Sequence, residues 1–200
     1  MSVIFAMSYF SFVMSISPGP VNMIIISSGI SNGFKKTFLF ISGATIGFTV
    51  LLAFISFGFS KIIESFPNFL IYLSFLGSSF IIYMGYKIIN SAEKIELEKN
   101  KSFVPKFYEG FLLQWLNPKA WIACVAGVSL FSTSTNDLIL FIIIYFLVCY
   151  LCLSFWAIVG QRVMFLFQTQ RRVKILNIIM GSLLILVALY LFYMQLIKVI

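Results

Sequence analysis

The chain has 200 residues, 61% of them hydrophobic and only 10% charged, with a formal charge of +8 and no histidine. A mean hydropathy of +1.05 is beyond what a buried core absorbs, so the composition predicts an all-α integral membrane protein and excludes a soluble nucleic-acid binder. Without histidine there is no His-ligated haem, no His-containing zinc site, no His proton shuttle and no Ser-His triad, and no enzymatic activity or cofactor is expected.

Six apolar runs follow in chain order, at residues 3–30, 37–60, 68–90, 107–132, 138–160 and 175–197. Each is long enough to cross roughly 30 Å of hydrocarbon at about 1.5 Å per residue. The first run is uncharged but interrupted by Ser17-Pro18-Gly19-Pro20; with no basic segment before it, it reads as a retained first span rather than a signal peptide. The second holds Gly43 and Gly47 in a G-x-x-x-G, and Gly77, Gly85 and Gly181 further on suggest the same close helix packing. Residues 91–106 form the one polar linker. The fourth run is interrupted by Asn117-Pro118-Lys119, and the fifth holds Cys149 and Cys152 as a C-x-x-C. With Cys124 of the fourth span, these read as small side chains packing between helices. Tyr9, Tyr72, Tyr83, Tyr86 and Trp156 are candidate anchors at the membrane interface. The whole of 1–200 reads as one membrane domain.

Charge placement predicts the topology. Lys35, Lys36, Lys87, Lys94, Lys99, Lys101, Lys106, Arg162, Arg171, Arg172 and Lys174 fall on connections 1–2, 3–4 and 5–6, whereas the other face carries only Lys61 and Lys198. The basic connections are therefore expected in the cytoplasm and both termini outside. The linker leaves three spans in each half, at about 1–90 and 105–200. Three is odd, so two halves of one fold must enter from opposite faces, which predicts a 3+3 inverted-topology repeat.

In that repeat span 1 corresponds to span 4, and these are the two interrupted ones. Each interruption pairs a potential helix cap, Ser17 or Asn117, with a proline suited to the first turn of a restarted helix, Pro18 or Pro118. A broken backbone in hydrocarbon leaves polar groups that cost several kcal/mol each unless protein or a hydrated cavity satisfies them. The two restarted half-helices are expected to point their positive N-terminal ends at one mid-depth site suited to an anion. Lys119 adds a full charge there. Isolated at the bilayer centre it costs roughly 2.5–3.5 kcal/mol on insertion scales, a cost that a ligand carboxylate or the backbone carbonyls freed by the break would offset. Pro18, Gly19, Pro20, Asn22, Gln114, Asn117, Pro118 and Lys119 are thus the candidate substrate-binding residues. The acidic residues Glu64, Glu93, Glu96, Glu98, Glu109 and Asp137 all lie in connections or near span ends, so no metal site is expected.

Taken together, SPGPVN from Ser17, SGISNGF from Ser28, GATIG from Gly43 and QWLNPKAW from Gln114 resemble the lysine exporter (LysE) and homoserine/threonine resistance (RhtB) family. Gly77 with Tyr83-Met84-Gly85, Phe155-Trp156-Ala157 and Gly160-Gln161-Arg162 extend the likeness over the whole chain. The resemblance implies export of amino acids or close derivatives across a bacterial plasma membrane, driven by the proton motive force. Since no carboxylate or histidine is expected at mid-depth, proton coupling falls to Lys119, with Glu109 near the start of span 4 as a second candidate. A homodimer through small-residue faces is allowed. Alternative readings are a membrane thiol or electron carrier using Cys149 and Cys152, an exporter of another small solute, and a non-transporting scaffold.

Overall fold

The computed structural model describes residues 3–59, 68–97, 103–166 and 170–199. The end of the second predicted span at residue 60, and Lys61, Glu64, Glu98, Lys99 and Lys101 of the charge pattern, lie outside the described residues. The described chain is helical throughout: α1 Val3–Ile16, α2 Pro20–Phe54 continued by a π-helical turn at Ile55–Phe59, α3 Phe69–Leu97, α4 Phe107–Trp115, α5 Pro118–Phe131, α6 Thr135–Leu166 and α7 Gln170–Val199.

Four helical stretches are long and apolar enough to cross a membrane: Pro20–Gly58, Ile71–Asn90, Thr135–Val163 and Lys174–Met194. Val3–Ile16 and Pro118–Phe131 are shorter apolar helices. The protein is a multi-pass helical membrane protein. The first stretch, at 39 residues, would extend roughly 60 Å if straight, twice the hydrocarbon thickness. It is not straight, because Gly33 adopts φ 77° and ψ 169°, a conformation open essentially to glycine alone. The predicted connection at residues 31–36 contains this kink, at the non-helical residue Gly33. The turn's polar groups are satisfied locally: Phe34 N–H donates to Gln161 Oε1 at 2.7 Å and the Thr37 hydroxyl donates to Gly33 C=O at 2.8 Å. At the other end of the third predicted span the helix continues to Leu97 rather than stopping at Asn90, since Ser91 to Leu97 contain no helix breaker and a polar helix can run on into water.

Helix α2 is the hub. It packs along α6 and α4, α1 lies against α6, and α3 pairs with α7. Gly43 makes the α2–α4 approach possible, because a Cβ there would sit 1.9 Å from Phe107 C=O. Gly77 does the same for α3 against the α4–α5 break, where a Cβ would meet Leu116 C=O at 1.8 Å. Met7, Ile24, Phe40, Leu51, Trp121 and Phe141 belong to the continuous core between these helices. Leu39, Ile122, Leu151 and Leu186 point outward, the pattern of a surface that meets lipid rather than water.

Candidate functional site

Two interruptions of the helical chain meet inside the bundle. Lys119, on the first turn of α5, reaches across about 100 residues of sequence, its Nζ donating to Ser17 Oγ at 2.7 Å and to Ser17 C=O at 3.2 Å. No carboxylate lies within ion-pair reach of it among the described residues.

The end of α1 shows why that break is tolerated in an apolar setting. Ser17 N–H donates to Val13 C=O and the Ser17 hydroxyl to Met14 C=O. Asn22 Nδ2 spans Ser15 C=O at 3.1 Å and Ser17 C=O at 2.9 Å, and Trp156 Nε1 donates to Ile16 C=O at 3.2 Å. Every carbonyl from Val13 to Ser17 therefore has a partner, three of them through side chains that follow the break in sequence. The second break uses the same device, as Trp121 Nε1 donates to Trp115 C=O at 2.7 Å, while Trp115 Nε1 ties the break to α2 by donating to Gly47 C=O at 3.1 Å.

The restarted helices differ at their N-termini. Asn117 caps α5 as its sequence position predicts, accepting Lys119 N–H on its side chain at 3.1 Å, with Pro118 in the first turn. At the first break the expected cap is corrected. Helix α2 begins at Pro20 rather than Pro18, with Gly19 in the cap position, extended and without any side-chain cap; Ser17 turns back toward α1. Gly19 lies beside Lys119: a Cβ at that position would stand 3.5 Å from its Nζ, an ordinary contact distance.

A cavity of about 50 Å³ opens where the breaks meet, several times the roughly 10–15 Å³ that one water requires. Gly19, Asn22, Gln114, Asn117 and Lys119 all line it. Pro18, Pro20 and Pro118 do not: Pro18 is exposed and the other two shape the restarts. Glu109 is not a lining residue either, since its buried carboxylate is engaged by the Lys87 ammonium and by Lys106 N–H at 2.8 Å. Lys87 also lies over the Phe103 ring, 4.2 Å from its centroid.

Several lining residues escape a reading of the sequence. Ser15, Phe48, Tyr145, Cys149 and Leu153 also face the cavity, and the Phe48 and Tyr145 rings stack at 4.3 Å to form one wall. Nothing in the local sequence marks Phe48, Tyr145 or Leu153 as lining residues; Ser15, a polar residue two positions before the break, carried a usable hint, and Cys149 stood out only through its C-x-x-C. Trp156 is likewise no simple interface anchor, because its indole closes the end of α1. Cys124, Cys149 and Cys152 are all buried free thiols. Among the described residues no group of His, Cys, Asp or Glu could hold a metal ion.

The sequence profile of the family described as LysE type translocator matches residues 12–195. Cysteine/O-acetylserine efflux proteins from Escherichia coli O1:K1, Escherichia coli strain K12 and Shigella flexneri serotype 5b are each 27% identical over 191 residues, covering 92% of this chain and 94% of theirs. No solved structure matches the chain. A profile that takes in both interrupted helices and nearly all the residues between and beyond them leaves one assignment: the chain belongs to the LysE type translocator family and is a transporter, not an enzyme.

Proposed function

We propose that the protein is a secondary transporter that exports amino acids or close derivatives from the cytoplasm, binding the substrate carboxylate between Lys119 Nζ and the uncapped N-terminus of α2 at Gly19. The observation that carries this reading is a lysine without a carboxylate partner among the described residues, held by Ser17 beside a helix N-terminus that has no side-chain cap. A carboxylate there would gain a full opposite charge and free backbone donors together. Asn22, Gln114 and Asn117 offer amides around it, and the Ser15 carbonyl, which accepts from Asn22, keeps a second lone pair for a substrate ammonium group. Efflux is supported by the family and by the efflux relatives.

The proposal includes a 3+3 inverted repeat, in which the turn at Gly33 separates spans 1 and 2 and the helices α1 and α4 are the first halves of spans 1 and 4. Both termini then lie outside the cytoplasm, in a bacterial plasma membrane. Proton coupling is assigned to Lys119, through the carboxylate bound beside it, with Glu109, the ion-pair partner of Lys87, as the second candidate. The test is intracellular amino-acid profiling after overexpression: at least one amino-acid pool should fall while the medium gains the same compound. An unchanged profile for every amino acid would overturn the reading.

A further inference from the structure

The chain entering α4 is drawn into the bundle instead of passing around it. Phe103 to Lys106 belong to no helix, yet Pro105 is buried and Phe103 packs against the core. The two ends of this short strap are held differently. At the Lys106 end the backbone N–H donates to the Glu109 carboxylate at 2.8 Å, which fixes that residue to the first turn of α4. At the Phe103 end the hold comes from other helices: Asn32 Nδ2 of α2 donates to the Phe103 C=O at 2.9 Å, and Lys87 of α3 lies over the Phe103 ring while pairing with Glu109.

Under the strap is a space of about 10 Å³, lined by Phe103 and Pro105 and, on α2, by Ile24, Ser27, Ser28 and Ser31. Val21, Ile24, Ser28 and Ser31 recur at intervals of three and four residues and so share one face of α2. Val21, with Asn22, lines the cavity at Lys119. The binding cavity and the space under the strap are therefore successive points along one helix face, roughly 10 Å apart from Val21 to Ser28 at about 1.5 Å per residue. Beyond Ile24 that face carries hydroxyls, which now bond to Asn177 and Thr37 and could exchange those bonds for bonds to a zwitterion.

We infer that Phe103–Lys106 is the cytoplasmic gate of the transporter, hinged at Lys106 and latched at Phe103 by Asn32 and Lys87, and that an amino acid entering from the cytoplasm follows the Ser31–Ser28 face of α2 to Lys119. This rests on the proposed export and topology. As the strap lies, the space beneath it admits one water at most, so the strap must move for an amino acid to pass. The movement is small in kind: one hydrogen bond and one ring contact at Phe103 are given up, and no helix has to unfold. Asn32 Nδ2 also donates to Ser28 Oγ at 3.4 Å, so the latch and the polar face share a residue that a solute arriving at Ser28 would disturb.

The experiment uses the full chain carrying Ser31→Cys and Pro105→Cys, two residues that line the same space, in proteoliposomes loaded with a labelled mixture of the proteinogenic L-amino acids under an imposed proton gradient. Linking the two thiols with dibromobimane should lower export to the level of protein-free vesicles, compared with the same preparation before linking. Each single-cysteine variant and the parent chain, treated identically, should continue to export. A second measurement needs no transport: Ser27→Cys should react slowly with a membrane-impermeant maleimide applied to the cytoplasmic face, and several-fold faster when Asn32→Ala releases the latch. Undiminished export by the linked protein, or equal labelling with and without Asn32→Ala, would overturn the gate while leaving amino-acid export standing. If the parent chain releases no amino acid faster than protein-free vesicles do, the export reading fails and this inference with it.

Discussion

Two buried polar clusters lie along the same helix α2 and are built on opposite terms. One surrounds the cavity at the helix breaks, where Lys119 has no carboxylate partner among the described residues and the Ser15 and Thr45 hydroxyls face the Cys149 thiol without a well-angled hydrogen bond. The other surrounds the Gly33 turn. There Ser27 and Ser31 donate to Asn177 Oδ1 at 3.1 and 3.0 Å, Asn177 Nδ2 donates back to Ser31, Ser28 and Thr37 share a 2.8 Å bond, and Asn32 Nδ2 donates to Phe103 C=O at 2.9 Å. The space beside this second cluster measures about 10 Å³, room for one water at most, against about 50 Å³ in the first. Where polar side chains satisfy one another they hold helices together. Where they do not, they are available to a ligand.

The comparison is broken most directly at Lys119. Lys119→Met should reduce export to background while the protein still inserts, and Lys119→Arg should retain part of it, measured as efflux per membrane-inserted molecule. Full export by the methionine variant would remove the lysine from any role in binding. Next in size is Gly33→Ala, which forces a Cβ onto a backbone at φ 77° and should destabilise the protein by about 1–3 kcal/mol, read as a lower unfolding temperature in detergent.

Asn177→Ala removes the bonds to Ser27 and Ser31. Interhelical hydrogen bonds in membrane proteins average only about 0.6 kcal/mol, so the expected loss is about 1–2 kcal/mol of stability, with the order of preferred substrates unchanged. A changed order at equal folded amount would make the second cluster part of the binding machinery and erase the distinction. The smallest effect belongs to Cys152→Ser, which destroys the C-x-x-C pair at a residue that does not line the cavity. Export should persist. Its abolition in well-folded protein would favour the thiol-carrier reading.

Sequence by itself determined the helical membrane class, the two interruptions, the cap at Asn117 and the close approach at Gly43, because hydropathy, proline and small-residue spacing act locally and leave periodic marks. It located the break within residues 20–54 only to within a few residues, since any of several polar residues in 31–36 could end a helix and only the packed backbone shows that Gly33 is the one that leaves the helical conformation. The N-terminus of α2 was misplaced by two residues for a related reason: Ser17 and Pro18 have the local chemistry of a cap and a first turn, but the Ser17 hydroxyl donates to Met14 C=O and accepts from Lys119 instead, and neither contact is written in that segment. Trp156 and Trp121 serve carbonyls 140 and 6 positions away, and Ser15 meets Cys149 from another helix. Which polar groups find partners, and which are left facing a cavity, depends on contacts between distant parts of the chain, so only the tertiary structure decided it.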